Sequence, residues 1–468
     1  MKFLVSLLLI LALAAGGAWF YAGRMAGPSI EFVRPEKFVG ASTPVEVLVG
    51  APGAQLKTLT MTLEQNGKQF PVYALGDQSA DVKEEPTEAG GTRLRVTREI
   101  GRQSVPELQS GPARILVTAS QPVLRGIRVA ETTVIRDVQV RLERPRVSVL
   151  STHHFINHGG SEVVVYRATP EDVASGVIVG DLEYPGYPAS GLGVPGVNVT
   201  DPAVRVAFFA LRYDQDLNTP IRVFARDEAG NVARAEFDKR IFPKPFKKSR
   251  IELTDSFIDR VVPAILEGTR EVNPEGDNLA KFLVINDELR QKNAEKIASF
   301  ARQTAPEMLW GGAVFYPFTN TGVQSAFADA RTYVYKGKEV DRQTHLGFDL
   351  ASFAGTPIVA SNRGKVLFAD ELGIYGNCVI IDHGLGVQSL YAHLSSMDVK
   401  PGDMVEKEQQ IGRSGMTGMA GGDHLHFTML INGHMVNPVE WWDGHWIEDR
   451  ILRKLRAAGG TDAEGAGN

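Results

Sequence analysis

Hydrophobic and polar positions alternate with a period of two along much of the chain, which predicts β-strands. Between residues 28 and 144, short alternating runs such as PVEVLVG, TLTMTLEQNG and ARILVTAS are separated by Gly, Pro and Asn-Gly turns. Runs of this length and spacing are typical of an all-β sandwich. We therefore expect a first β-sandwich domain over residues 28–144.

A second set of alternating runs, including SEVVVYRA and VRVAFFALRY, lies within residues 145–245. The segment DEAGNVA resembles the late hairpin of bacterial immunoglobulin-like domains, so we expect a second β domain of that type. Such a resemblance concerns the fold more than the function. A spacer, or a surface that docks envelope proteins, is the expected role of both β domains.

The hydrophobic period changes from two to that of a helix after the basic, proline-containing linker FPKPFKKSR. In LTDSFIDRVVPAILEG, Thr254 or Asp255 is the expected N-cap, and Gly268 is the expected end. A second amphipathic helix follows, and the helical segment as a whole is predicted over residues 251–305. We expect these helices to pack on the next domain or to cover its groove. Their predicted buried side comprises Leu279, Phe282, Leu283, Leu289, Ile297 and Phe300.

Strand patterns return over residues 306–445, a glycine-rich stretch that contains seven of the ten histidines. Asn432-Gly433 between two alternating runs predicts a hairpin. Residues 446–468 are expected to form a C-terminal tail, and its small, polar end AAGGTDAEGAGN is expected to be disordered.

Residues 1–24 form the most apolar part of the chain, with no charge from Phe3 to Ala22. Twenty such residues can span a hydrocarbon core of about 30 Å. We expect an uncleaved inner-membrane anchor that leaves the catalytic domain in the periplasm. Secretion after cleavage of a signal peptide is the alternative, because ALA at positions 12–14 resembles a cleavage site.

Composition and net charge exclude some classes of partner and of covalent cross-link. The net charge of −5 over 468 residues offers no basic face for nucleic acid, so no nucleic-acid partner is expected. The single cysteine, Cys378, excludes an internal disulfide and lies in the alternating run NCVIID, where a small buried side chain is expected.

The histidines carry the candidate chemistry. His424 and His426 are two residues apart on a predicted strand, so both imidazoles share one face and Leu425 takes the other. His345 and Asp349 would be about 13 Å apart on a straight strand, but Gly347 and the β context favour a bend that brings them together. His393 ends a third strand. Zinc in catalytic sites typically has three protein ligands and one open position.

These motifs together resemble the M23 peptidases, the lysostaphin-like and LytM-like zinc endopeptidases. The segments that carry the resemblance lie between residues 316 and 440, which is less than a third of the chain. The usual Pro before the first His is Asp423 here, and a common Gly is Glu408, but neither change removes a ligand. The matching segments are HLGFDLASFAGTPIVASNRGKVLFAD, YGNCVIIDHGLGVQSLYAHLS, VKPGDMVEKEQQIGRSGMTG and DHLHF with NGHMVNP.

The resemblance implies a role for each motif residue. It makes His345, Asp349 and His426 the ligands of one Zn²⁺ ion per chain, and His393 and His424 the catalytic imidazoles. The implied fold class is mainly β: two immunoglobulin-like β-sandwich domains, a short helical segment and a C-terminal antiparallel β peptidase domain. An assisting tyrosine occurs in some relatives, and Tyr333 and Tyr335 are the candidates here.

The implied function is zinc-dependent hydrolysis of peptide cross-links or stem peptides of peptidoglycan in the cell envelope. The first alternative is a LytM-like regulatory protein that binds and activates another cell-wall hydrolase; such relatives lack metal ligands, whereas this chain has all of them. A swinging-arm carrier is the second alternative, suggested by VKPGDMVEKEQQIG, but the lysine that it needs at a hairpin tip has no matching context. Neither the bond that is cut nor an inhibitory role of the helices follows from the sequence.

Overall fold

The computed structural model describes residues 2–51, 55–86 and 92–459. These residues fall into two compact units, which are described separately. The first unit comprises residues 1–145 and 226–233, and the second comprises residues 146–225 and 234–468. Most elements are strands, so the predicted mainly β class is confirmed.

The first unit contains one helix and a two-sheet sandwich. Its elements are α1 (Lys2–Ala22), β1 (Ser29–Arg34), β2 (Phe38–Val39), β3 (Thr43–Gly50), β4 (Thr58–Gln65), β5 (Lys68–Ala74), β6 (Asp81–Pro86), β7 (Thr92–Ile100), β8 (Gly111–Val123) and β9 (Arg128–Val140). The sheet orders are β1-β3-β7-β6 and β2-β9-β8-β4-β5. Side chains from both sheets, such as Val47 and Ile115, share one buried core. Within the described part of the chain, no helix combines the length and apolar character needed to cross a membrane.

The second unit begins with the second β domain. Its strands are β10 (Arg146–Val149), β11 (His154–Asn157), β12 (Ser161–Thr169), β13 (Ala174–Val179), β14 (Leu182–Pro185), β15 (Tyr187–Pro188), β16 (Val204–Ala210), β17 (Ile221–Arg226), β18 (Val232–Ala235) and β19 (Lys239–Phe242), with a 3₁₀ turn at Ala189–Gly191. One sheet has the order β10-β12-β16-β15, and β14, β13 and β17 lie side by side in another. Strands β11 and β19 pair in parallel.

The predicted helices follow, with the predicted ends. Helix α2 (Asp255–Gly268) is capped by the Thr254 hydroxyl, which accepts a hydrogen bond from the Phe257 amide at 3.2 Å. The second helix is interrupted by a π-helical turn, and four of its six predicted core residues are buried, whereas Leu279 and Leu283 are half-buried. Its parts are α3 (Asn278–Val284), a π turn (Ile285–Leu289), α4 (Arg290–Ser299) and a 3₁₀ turn (Phe300–Gln303).

The C-terminal strands form three sheets. They are β20 (Lys248–Leu253), β21 (Gly322–Ser325), β22 (Asp329–Tyr335), β23 (Lys338–His345), β24 (Phe348–Ala351), β25 (Pro357–Val359), β26 (Gly364–Glu371), β27 (Asn377–Gly384), β28 (Val387–Leu394), β29 (Ser396–Met397), β30 (Met404–Val405), β31 (Gln410–Arg413), β32 (Leu425–Ile431) and β33 (His434–Val436), with 3₁₀ turns at Gly373–Tyr375 and Pro438–Glu440. The largest sheet has the order β21-β24-β32-β28-β27-β26-β30, and β33 pairs with β32 through the predicted Asn432-Gly433 hairpin. The smaller sheets are β20-β22-β23 and β25-β31-β29.

The two faces of the large sheet have different partners. The helices pack on the face that carries Leu390, Ala392 and the buried Cys378. The opposite face, with Tyr391 and Phe427, belongs to a core that continues into the second β domain. The central strands are therefore buried on both sides, which suits their nearly continuous apolar sequence.

A polar seam joins the second β domain to the residues that follow β33. The buried Glu440 carboxylate accepts hydrogen bonds from the Asn157 amide at 2.7 Å and from the Ser161 amide at 2.8 Å. The indole of Trp441 donates to the Ser161 hydroxyl at 3.0 Å. These contacts satisfy buried polar groups on both sides of the seam.

The first part of the predicted C-terminal tail is helical. Residues after 443 form α5 (Gly444–Trp446), a π turn (Ile447–Leu452) and α6 (Arg453–Ala458). Ile447, Ile451 and Leu455 are buried at helical spacing, so this segment packs on the core rather than leaving it. The remaining residues of the predicted tail, 460–468, lie outside the described residues.

Candidate metal and catalytic site

A bend between two strands brings His345 and Asp349 together, as Gly347 predicted. Strand β23 ends at His345 and β24 begins at Phe348. The Nε2 atom of His345 lies 2.9 Å from Oδ1 of Asp349. Gly347 is required by close packing, because a Cβ atom there would lie 2.5 Å and 2.6 Å from two ring atoms of His426.

The register of the large sheet adds the third residue. Asp349 on β24 lies directly opposite His426 on β32, and directly paired residues project to the same face. Nδ1 of His426 is 3.0 Å from Oδ1 of Asp349 and 3.0 Å from Nε2 of His345. The three atoms predicted to be ligands therefore form a nearly equilateral triangle. Among the described residues, one group of side chains could hold a metal ion, because one ligand atom from each lies within 4.8 Å of the others. This group is His345, Asp349 and His426.

The donor set fits a divalent cation. Nδ1 of His345 lies 3.1 Å from the Ala326 carbonyl, so it carries the proton and leaves the Nε2 lone pair facing the triangle. A carboxylate oxygen and imidazole lone pairs at this separation repel each other unless a proton or a cation lies between them. Two nitrogens and one oxygen are ligands that zinc accepts, and three protein ligands leave one position open.

Arg331 orients the acidic member of the triangle. Its guanidinium donates to Oδ2 of Asp349 at 3.1 Å and to the Ser325 hydroxyl at 2.8 Å. Oδ1 of Asp349 is thereby turned towards the imidazoles. Burial raises the pKa of Asp349, but its close contacts with three histidines outweigh burial and hold that pKa well below its ordinary value. The carboxyl is therefore an anion suited to binding a cation.

His393 reaches the site through an unusual backbone conformation. Ala392 lies opposite His426, so regular alternation would send the His393 side chain to the other face, with Tyr391. The φ angle of +63° at His393 breaks this alternation, and the ring lines the same cavity as the triangle. Nδ1 lies 2.8 Å from the Thr417 carbonyl and donates to it, which leaves Nε2 as the acceptor. Burial lowers the pKa of His393 well below its usual value.

His424 is the fifth member of the cluster. Its ring centre lies 4.8 Å from that of His393, and its Nε2 atom is 3.4 Å from Oδ1 of Asp349. Nδ1 is 2.8 Å from the Gly422 carbonyl. Burial lowers the pKa of His424, but the hydrogen bond and charge of Asp349 outweigh it, so the net direction is upward. Leu425 points into the opposite core, as the alternation predicted.

The arrangement combines a cation site with two imidazoles that can exchange protons. A divalent ion held by His345, Asp349 and His426 would supply Lewis acidity, which can polarise a carbonyl and activate water. His393 and His424 each have one ring nitrogen fixed by a backbone carbonyl and the other directed at the cavity. Imidazoles held in this way can orient a nucleophile, stabilise a developing oxyanion and protonate a leaving amine.

The structure adds one residue to the candidates from the sequence and distinguishes between the two candidate tyrosines. Arg331 was not expected, because its strand gives no sign that it would pair with Asp349. Tyr333 lines the cavity, whereas the hydroxyl of Tyr335 donates to Asp255 at 2.6 Å and lies outside the cavity lining.

A cluster of this composition on strands β24, β28 and β32 of an antiparallel sheet is the kind of site that metallopeptidases use. Residues 343–438 match the model of peptidase family M23, so the chain carries an M23 peptidase domain towards its C-terminus. The "DD-carboxypeptidase/endopeptidase Mpg" of Neisseria meningitidis serogroup B is 46% identical over 95 residues, which cover 20% of this chain and 22% of the relative. The "Peptidoglycan DD-endopeptidase ShyA" of Vibrio cholerae serotype O1 is 40% identical over 96 residues, with the same coverage of 20% and 22%.

The matched segment spans about a fifth of the length of these curated relatives. Among solved structures, the catalytic domain of lysostaphin from Staphylococcus simulans is 28% identical, covering 26% of this chain and 92% of that domain, with a TM-score of 0.23. The family match confirms the predicted M23 peptidase domain.

Proposed function

We propose that this protein is a zinc-dependent endopeptidase that hydrolyses peptide cross-links or stem peptides of peptidoglycan in the cell envelope. The observation that carries the proposal is the triangle of His345, Asp349 and His426, with His393 and His424 beside it in one cavity. The similarity to ShyA, which is named a peptidoglycan DD-endopeptidase, supports peptidoglycan as the substrate. All five positions that the family chemistry needs are present and converge.

The test uses the zinc-loaded chain and purified sacculi, with mass spectrometry of the released muropeptides. We expect new peptide ends, loss of release on chelation, and recovery when zinc is restored. His345→Ala should abolish release, whereas the exposed His445→Ala should not. Release by His345→Ala at the wild-type rate would reject the proposal. Activity that appears only after a separate amidase is added would favour the regulatory alternative.

The location in the envelope is part of the same proposal, since peptidoglycan lies there. We propose that residues 1–24 hold the protein at the inner membrane with its catalytic domain in the periplasm. Cell fractionation of the chain with and without residues 1–24 tests this. A protein recovered in the soluble periplasmic fraction with an intact N-terminus would reject the anchor, and one lacking those residues would favour signal cleavage.

A further inference from the structure

The cluster shares its cavity with the helical segment. The cavity measures about 800 Å³ and is lined by the five site residues together with residues of β20, α2 and α4. The helices therefore form a wall beside the candidate metal site. Two arginines, Arg260 on α2 and Arg290 at the start of α4, belong to this wall.

One Nη atom of Arg260 is hydrogen-bonded to the protein. One Nη atom donates to the Ala420 carbonyl at 2.8 Å, and the guanidinium carbon lies 5.5 Å from the centre of the Phe257 ring. The residue is exposed. Its remaining N–H groups stay available to a ligand, because an arginine offers five donors in a planar fork.

Arg290 is held more tightly. Its Nε atom donates to the Asn286 carbonyl at 3.0 Å, and one Nη atom donates to the Asn286 side-chain oxygen at 2.5 Å. The same Nη atom lies 3.7 Å from the sulfur of Met419. Since Met419 and Ala420 are consecutive, both arginines contact one loop, which leads from Thr417 beneath His393 to His424.

The charges of these two arginines are not neutralised by the protein. Among the described residues, no carboxylate forms an ion pair with Arg260 or Arg290, and each is bonded to neutral groups. The third arginine of the cavity differs, since Arg331 lies between Asp349 at 3.1 Å and Asp329 at 3.8 Å. Glu252, an acidic residue of the cavity wall, is paired with Arg250 at 2.9 Å.

We propose that Arg260 and Arg290 form a subsite that binds a free carboxylate of the peptide substrate close to the bond that is cut. This inference rests on the proposed function and narrows its substrate to peptides that carry such a carboxylate. Guanidinium groups bind carboxylates through short, charge-assisted and often bidentate hydrogen bonds. Peptide stems with free carboxyl groups provide that partner, whereas amidated stems do not.

The experiment compares one cross-linked muropeptide dimer in two forms: with free carboxylates, and after its carboxylates have been converted to amides. The zinc-loaded chain should cleave the free form with a kcat/KM about tenfold or more above that of the amidated form. Arg260→Ala and Arg290→Ala should each reduce this ratio, and the double variant should bring it near one. The double variant should lose much more activity on the free dimer than on the amidated dimer.

Arg302→Ala is the matched control, since this exposed arginine lies on the same helical segment but not in the cavity lining. It should keep the wild-type ratio. A wild-type ratio near one, or equal losses on both dimers in the double variant, would overturn the inference. The second result would show that the arginines only support the fold.

A binding measurement separates this inference from the proposed function. The dimers are titrated into zinc-loaded His424→Ala, with and without the two arginine substitutions, so that no turnover is required. Tighter binding of the free form that disappears with the arginines supports the subsite even if neither dimer is cut by the wild type. Equal binding of both forms overturns the subsite while leaving any observed hydrolysis intact.

Discussion

The guanidinium of Arg331 holds one oxygen of Asp349 at 3.1 Å, while the other oxygen lies within 3.0 Å of Nδ1 of His426 and 2.9 Å of Nε2 of His345. One oxygen of Asp349 therefore contacts the guanidinium cation of Arg331, and the other faces the candidate metal site. Groups that hydrogen-bond to metal ligands fix the orientation of those ligands, and their loss typically lowers metal affinity.

Arg331→Met should weaken zinc binding, because Asp349 would lose the contact that fixes its rotamer. We expect the dissociation constant for zinc to rise by about 10- to 100-fold. Competition with a chromogenic chelator measures it. Arg342→Met on the neighbouring strand β23 is the control, since Arg342 is exposed and pairs with Glu339. Equal zinc affinity in the wild type and Arg331→Met would contradict the orienting role.

Gly347→Ala should damage the site through contact alone. The added Cβ would lie 2.5 Å from a ring carbon of His426 and 2.9 Å from the Phe427 carbonyl, so the imidazole or the bend must move. Zinc content after dialysis should fall well below one equivalent. Gly444→Ala meets no atom within 4 Å and should retain zinc. Full zinc occupancy in Gly347→Ala would show that the bend tolerates a side chain.

Variants of the proposed zinc ligands and variants of the proposed catalytic imidazoles should differ in metal content. His426 is a proposed zinc ligand, so His426→Ala should lose both zinc and activity. His424 is proposed to transfer protons without binding the metal, so His424→Ala should retain zinc but lose about 10²- to 10⁴-fold in kcat. Elemental analysis and turnover of the same samples give both values. Loss of zinc from His424→Ala would place that residue among the ligands.

The stability of the protein should depend on pH through Glu440. Burial raises the pKa of Glu440 to about 7, although it accepts hydrogen bonds from Ser161 and Asn157. Between its ordinary value of 4.5 and about 7, the folded protein holds a proton that the unfolded chain has released. The free energy of unfolding should therefore fall as pH rises through this window, by up to about 3 kcal/mol.

Urea unfolding of the wild type and of Glu440→Gln at several pH values checks this prediction. The neighbouring charges are Glu162, which helps to raise the pKa of Glu440, and its partner Lys454 at 2.7 Å, and both are present in the two proteins. The variant should show a flatter dependence between pH 5 and 7. Parallel curves would mean that Glu440 stays ionised in the folded protein.

Local patterns were sufficient to predict the centre of the site. Alternation placed His424 and His426 on one face with Leu425 opposite, and a glycine between His345 and Asp349 predicted the bend. Both inferences depend on neighbours in sequence, where the strand period is reliable. The roles assigned to these residues came from the family resemblance and stay predictions.

Features that depend on pairing between distant strands escaped prediction. Alternation alone would turn His393 away from the cluster, and only its positive φ brings the ring into the cavity. The contact of Arg331 with Asp349 requires the neighbouring placement of two sheets, which no local period encodes. The helical end after residue 443 was missed because small, polar residues near the terminus obscured buried positions at helical spacing.

The seam at Ser161 also sets the smallest fragment suitable for biochemistry. A fragment begun at residue 306 would uncover the Trp441 indole and leave the Glu440 carboxylate without its donors. A fragment trimmed to the family match, residues 343–438, would lack both residues. Such a fragment should aggregate on expression, for reasons unrelated to catalysis. Cloning that starts near Arg146 keeps the seam closed, and inactivity of anything shorter should be judged first as a folding failure.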